Sequence, residues 1–347
     1  MRRALLPLLL AMAAGLAACG RPAAEGVTEL VYATPYSPAH PFSRADLRWM
    51  AWVEERSGGT LRIRPVWSGA LLSTEHSMLE LRHGVVDIGL ITPIYVKGGA
   101  HLIRIQSGFY AGIGGIPEQV ALYRCLAAHE PQFARELEGL EVLAVQGGSL
   151  PGIITREKPI HALSDLRGLR IRVPTELLPV LRELGADPIN VPMGEVYSAL
   201  AKGVIDGVVA PTDTFRALHL AEVAKYYASL RIPRGAYPAR AMGGRRWRSL
   251  SEAHRAVLRE SVSVWEAALA EENMKALDEG WKLAQQHGVT RTVIGEDDQR
   301  RFDEIYLREA RRNAGALQRY GIDGERSWRV ARASIGAGGE VNCREDF

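Results

Sequence analysis

The run Leu169-Arg170-Ile171-Arg172-Val173 and the segment after it constrain this 347-residue chain most. Apolar Leu169, Ile171 and Val173 alternate with Arg170 and Arg172, and period two marks a strand with one apolar face. Pro174 ends the run. A helix-like stretch, Gly185-Ala186-Asp187-Pro188, a second helix-like stretch and Gly203-Val204-Ile205-Asp206-Gly207 follow. Near the start, Leu81-Arg82-His83-Gly84-Val85-Val86-Asp87 has the same order as Leu200-Ala201-Lys202-Gly203-Val204-Ile205-Asp206. Strands alternating with helices imply parallel sheets with right-handed crossovers. The echo implies two similar α/β halves. Such junctions also recur in any α/β protein, because glycine terminates helices cheaply; the shared aspartate sharpens the match.

The alternation leaves two readings of the arginines. Both lie solvated on the polar face, or Arg172 points beyond the carboxyl end of its strand, where open α/β sheets bind ligands.

Length favours two domains. The apolar share of 47% and charged share of 24% are ordinary for a globular chain. The formal charge of +3 includes Arg2 and Arg3, so losing a leader that holds both leaves +1. That balance, with no basic block, gives no case for nucleic acid. Met1-Arg2-Arg3 and the apolar run 4–18 form a secretion signal too short to span a bilayer comfortably. The run ends in Leu16-Ala17-Ala18-Cys19, which resembles a bacterial lipobox, with Cys19 as the lipid-attachment residue. A soluble secreted protein with an incidental Cys19 is the alternative. Of the other two cysteines, Cys125 in an apolar helical run reads as a buried free thiol and Cys343 falls in a polar tail. Their positions do not point to a pair, although an oxidising compartment permits one.

Strands are expected at 30–34, 61–66, 85–91, 140–145, 152–155 and 169–173. Helices are expected at 42–56 and 74–83, with a long one at 251–288 that reaches roughly 50 Å at about 1.5 Å per residue. A last helix is expected at 297–320, followed by a loose tail after Gly336. The fold class is α/β, a two-lobed clamshell; the resemblance to a known family carried by segment 165–211 implies the periplasmic-binding-protein kind, with the long helix spanning both lobes. Residues 1–19 form the leader and 20–28 a tether. Residues 29–149 and 238–268 form lobe one, 150–237 and 269–330 lobe two, and 331–347 the tail.

Catalytic patterns fail. Gly112-Ile113-Gly114-Gly115-Ile116-Pro117 lacks the third glycine of a dinucleotide loop, and Gly336-Ala337-Gly338 has Val341 at that place. Ser149 lacks the closing glycine of a nucleophile elbow. No His/Cys cluster has metal-ligand spacing. No enzyme activity, cofactor or metal is expected.

The segment 165–211 resembles the substrate-binding proteins of tripartite ATP-independent periplasmic (TRAP) transporters. Asp165, Gly168, Arg172, Pro174, Gly185, Pro188, Val196, Tyr197, Leu200, Gly203, Asp206 and Gly207 carry the match. The runs Val53-Glu54-Glu55-Arg56-Ser57-Gly58-Gly59 and Leu79-Glu80-Leu81-Arg82-His83-Gly84 extend it. The resemblance implies a monomeric extracytoplasmic receptor that binds an organic acid between lobes and delivers it to a TRAP membrane permease. It also implies that Arg172 holds the ligand's carboxylate. A periplasmic sensor subunit for a signalling receptor shares this fold and cleft, and an exported enzyme on the scaffold is a third reading.

Two departures bear on the ligand. Many relatives continue D-G-x-x-N-P, where this chain has Ala210 for the asparagine. Relatives also tend to carry a second arginine about twenty residues before the first, where this chain has Gly152. With that clamp missing, an apolar monocarboxylate is expected. Position after strands adds Thr92, Tyr95, Thr212 and Asp213 as ligand contacts, with His40 in the first loop. Phe109 and Tyr110 either face the ligand or pack between lobes. Asp87 and Asp206 are expected to accept backbone N–H bonds.

Overall fold

Two parallel strands open the chain. β1 (Thr28–Ala33) pairs with β2 (Leu61–Val66), from Thr28 opposite Leu61 to Ala33 opposite Val66, in the computed structural model, which describes residues 26–96 and 98–344. The expected leader, with Cys19, lies outside the described residues. The crossover is α1 (Pro41–Arg56). His40 caps it, its Nδ1 accepting the Phe42 N–H at 3.2 Å, and Pro41 pre-sets the first turn. α2 (Ser77–His83) leads to β3 (Ile88–Leu90), which pairs with β1 on its other side. α3 (His101–Gln106) and α4 (Ile116–His129) precede β4 (Leu140–Gln146).

The second sheet begins with β5 (Gly152–Thr155), β6 (Arg170–Arg172) and β7 (Asp187–Ile189). α5 (Val196–Ala201), β8 (Gly207–Ala210), α6 (Thr214–Ala217) and β9 (Tyr226–Ala228) continue it. β10 (Tyr237–Gly243) then returns to the first sheet, antiparallel between β3 and β4. α7 (Glu252–Gln286), β11 (Thr290–Thr292), α8 (Glu296–Gly315) and α9 (Gly324–Ser334) complete the chain. The sheet orders are β2-β1-β3-β10-β4 and β11-β9-β5-β8-β6-β7.

The repeated junctions are built alike. Gly84 at φ 78° and Gly203 at φ 69° end their helices in the left-handed region, where any Cβ is strained. Asp87 Oδ2 accepts the Val31 N–H at 2.8 Å, and Asp206 Oδ2 accepts the Arg170 N–H at 2.8 Å. Each aspartate therefore ties the turn to its neighbouring strand.

α7 is 35 residues long, roughly 50 Å at about 1.5 Å per residue. It packs on α1 and β4 in one half and on α6 in the other. Trp49 of α1 stacks on Trp265 of α7 at 3.6 Å between ring centres. Asp46, fully buried, accepts from Arg240 Nε at 3.0 Å, Trp265 Nε1 at 2.9 Å and the Tyr32 hydroxyl at 2.5 Å. That network joins β1, α1, β10 and α7 in one rigid unit.

The expectations of a free Cys125 thiol and a loose tail are overturned. Cys125 and Cys343 form a disulfide with their Cα atoms 5.6 Å apart. The cause is α9, which the sequence expectation lacked. Its Val330 and Ala331 share a core with Leu122, Cys125 and Leu126 of α4. An Ile335–Val341 bridge then folds the tail back over α4. Among the described residues, no helix is long and apolar enough to cross a membrane.

Candidate ligand site

β6 places its two arginines differently. Arg170, at the strand's start, is exposed and pairs with Asp187 of β7 at 2.9 Å. Arg172, at the carboxyl end, is only 4% exposed. Its Nε donates to the Val191 carbonyl at 2.9 Å and its Nη2 to the Tyr95 hydroxyl at 2.5 Å. Neither bond uses Nη1. Two bonds thus fix the plane of the guanidinium and leave one edge for an incoming anion.

That edge faces a cavity of about 140 Å³ between the carboxyl ends of the two sheets, walled by Tyr36, Phe42, Tyr95, Met193, Ala210 and Tyr237. The cavity opens into a cleft of about 980 Å³ and shares Tyr36, His40, Thr92, Tyr95, Met193 and Leu218 with it. His40 stacks on Tyr36 at 4.0 Å. Burial, and then the positive charges of Arg240 and Arg44, lower its imidazole to about 3, so it is neutral.

Position 152 has no room for a second arginine. A Cβ on Gly152 would lie 2.4 Å from the Ala228 carbonyl oxygen and 2.6 Å from the Tyr227 ring. The cavity nevertheless has a second guanidinium. Arg234, in the loop before β10, lines it and donates to the Ser149 carbonyl at 3.3 Å. Gly152 therefore cannot supply a second clamp, while Arg234 brings a second guanidinium into the wall from another part of the chain. Two acids complete the wall, Glu176 and Asp213. Burial raises both; opposing charge from Arg234 on Asp213, and from Arg172 and Arg234 on Glu176, only partly offsets it. Asp213 reaches about 6.

Of the expected contacts, His40, Thr92, Tyr95, Arg172 and Asp213 line the cavity. Thr92 also donates to the Thr74 carbonyl at 2.8 Å. Thr212 lies outside the wall, and its hydroxyl donates to Leu277 of α7. Phe109 and Tyr110 are core residues: both are 1% exposed, packed with Leu102 and Leu122, and the Tyr110 hydroxyl donates to Gln106. Tyr36, Glu176, Arg234 and Tyr237 carried no signal in the sequence reading, because they reach the cavity from loops and strand ends without periodicity.

Residues 32–312 match the model of the bacterial extracellular solute-binding proteins, family 7. The chain belongs to that family. Its fold is that of TRAP solute-binding proteins. One, from Rhodoferax ferrireducens and in complex with copurified benzoate, superposes with a TM-score of 0.79 at 22% identity, covering 88% of this chain and 97% of that one. Another, from a marine metagenome and in complex with metahydroxyphenylacetate, gives 0.76 at 23% identity over 88% and 98%. A solute-binding protein of Albidiferax ferrireducens is 27% identical over 192 residues, 54% of each chain. This solute-binding protein thus spans about half the length of that relative. The family is one of extracytoplasmic receptors rather than enzymes.

Proposed function

We propose that this protein captures an organic monocarboxylate in the cavity between its two sheets and delivers it to a TRAP membrane permease. The observation that carries this reading is Arg172: a buried guanidinium at a strand's carboxyl end, held by Val191 and Tyr95, with an edge left over a largely apolar cavity. The benzoate and metahydroxyphenylacetate in the two similar structures support an acid with an apolar body. A planar fork binds a carboxylate by two parallel hydrogen bonds, which a point-charge ammonium cannot reproduce.

Calorimetric titration with benzoate and hydroxybenzoates tests it. Arg172→Ala removes one partner of a desolvated charge pair and should cost about 2–5 kcal/mol, roughly thirty- to several-thousand-fold in affinity. Arg172→Lys should recover only part of the loss. Binding by Arg172→Ala within a few-fold of wild type would place the carboxylate elsewhere. The basic start, apolar run and Leu16-Ala17-Ala18-Cys19 support a lipid tether at Cys19. Palmitate labelling should appear in wild type and vanish in Cys19→Ala; equal labelling of both removes the tether.

A further inference from the structure

We propose that Asp213 is the cavity's second recognition group, accepting a hydrogen bond from a hydroxyl on the ligand at the end remote from its carboxylate. This rests on the reading of Arg172 as the carboxylate's partner. Asp213 follows β8, in the turn that starts α6, and is 6% exposed. Its carbonyl accepts the N–H groups of Arg216 and Ala217. Behind it α7 passes so closely that a Cβ on Gly280 would lie 2.1 Å from the Thr212 carbonyl oxygen and 2.8 Å from the Asp213 Cα. The backbone is therefore fixed from two sides, and the residue lines the cavity. Backbone N–H groups of Asp213 and Thr214 bond its carboxylate, while Oδ1 is buried and has no hydrogen-bond partner. A buried acceptor left unsatisfied is costly, so such an atom in a ligand cavity calls for a donor on the ligand.

Charge decides which donor. The guanidinium of Arg234 already acts on Asp213, and Arg172 and Arg234 are matched in the wall by Glu176 and Asp213, so an ammonium would have to compete with Arg234 for the same carboxylate. A second carboxylate would bring a further acceptor to one that already lacks a donor. A hydroxyl meets neither objection. Arg172 and Asp213 leave the carboxyl ends of adjacent strands, β6 and β8, and an apolar wall lies around them. The ligand class is thus a monocarboxylate with an apolar middle and a distal hydroxyl.

The test is calorimetric titration of matched pairs: benzoate against meta- and para-hydroxybenzoate, and hexanoate against its omega-hydroxy derivative. Wild type should bind at least one hydroxylated member about tenfold more tightly than its parent or better. The preference should vanish in Asp213→Leu and persist in Asp213→Asn, whose amide oxygen still accepts. Thermal melts report folding, and Asp213→Ala replaces the leucine variant if that one unfolds. No hydroxyl preference in any pair, a preference that survives loss of the acceptor, or a preference for para-aminomethylbenzoate overturns the proposal while leaving the carboxylate reading intact. Failure of wild type to bind any of these acids overturns both.

Discussion

His40 has two roles that suit a neutral imidazole: Nδ1 accepts the Phe42 N–H at the start of α1, and the ring stacks on Tyr36 in the cavity wall. Folded, it resists protonation down to about 3, while an unfolded histidine titrates near 6.5. Between those values the unfolded chain binds more protons, so this group's contribution rises with pH and is lost as pH falls below about 6.5. At about 1.4 kcal/mol per pH unit, the full effect is roughly 5 kcal/mol. Asp213 works in the opposite sense. Its folded value of about 6 exceeds the unfolded value of about 3.9, so the folded chain binds more protons in that window. Its contribution is present at low pH and falls by about 3 kcal/mol as pH rises from about 4 to 6. Urea unfolding between about pH 4 and 7 separates them. His40→Asn keeps a capping side chain and should lose the rise, whereas Asp213→Asn should lose the fall and so steepen the rise. Equal pH slopes in wild type and both variants would show that neither burial shift exists.

Elements with their own periodicity were legible in the sequence. β2 and β5 have the expected bounds, and α7 differs by one or two residues, because alternation and helical spacing are local properties. β10 was not legible. From Pro238 to Gly243 every residue is buried, and Arg240 at its centre is fully so, paired with Asp46. A strand covered on both faces shows no alternation, and a proline and an arginine within it argue against a strand until their partners are known. The same difficulty hid the disulfide. Cys125 and Cys343 are 218 residues apart, and only the packing of α9 on α4 brings them together. Within the site, alternation and Pro174 placed Arg172 at its strand's end but left a solvated reading open, and only the resemblance to a known family pointed it at a ligand. Asp213 was placed only by following β8. Arg234 was not legible, since its loop between β9 and β10 has no period and its place in the cavity is set by β10 crossing back to the first sheet.

Arg172 ties the two halves of the molecule together across the cleft. It belongs to the second sheet, while the Tyr95 hydroxyl it meets follows β3 of the first, and the Thr175 hydroxyl reaches the Ile94 carbonyl nearby at 3.5 Å. A carboxylate on the same guanidinium, as proposed, would therefore bind where the halves already touch. Ligand affinity and closure should be one equilibrium, because a ligand shifts two states only by its differential affinity for them. The long α7 bears on both halves, so closure is expected to turn them about the crossing segments near residues 150 and 237 while each sheet keeps its register. Small-angle scattering with the tightest-binding acid of the benzoate and hexanoate series measures this directly. The radius of gyration should fall at saturating ligand. Tyr95→Phe removes the bridging hydroxyl without emptying the wall, so its ligand-free form should be more expanded than wild type and should contract further on binding. A wild-type profile unchanged by saturating ligand, with Tyr95→Phe indistinguishable from it, would mean that the cavity fills without domain motion and that the Arg172–Tyr95 bond is a fixed strut.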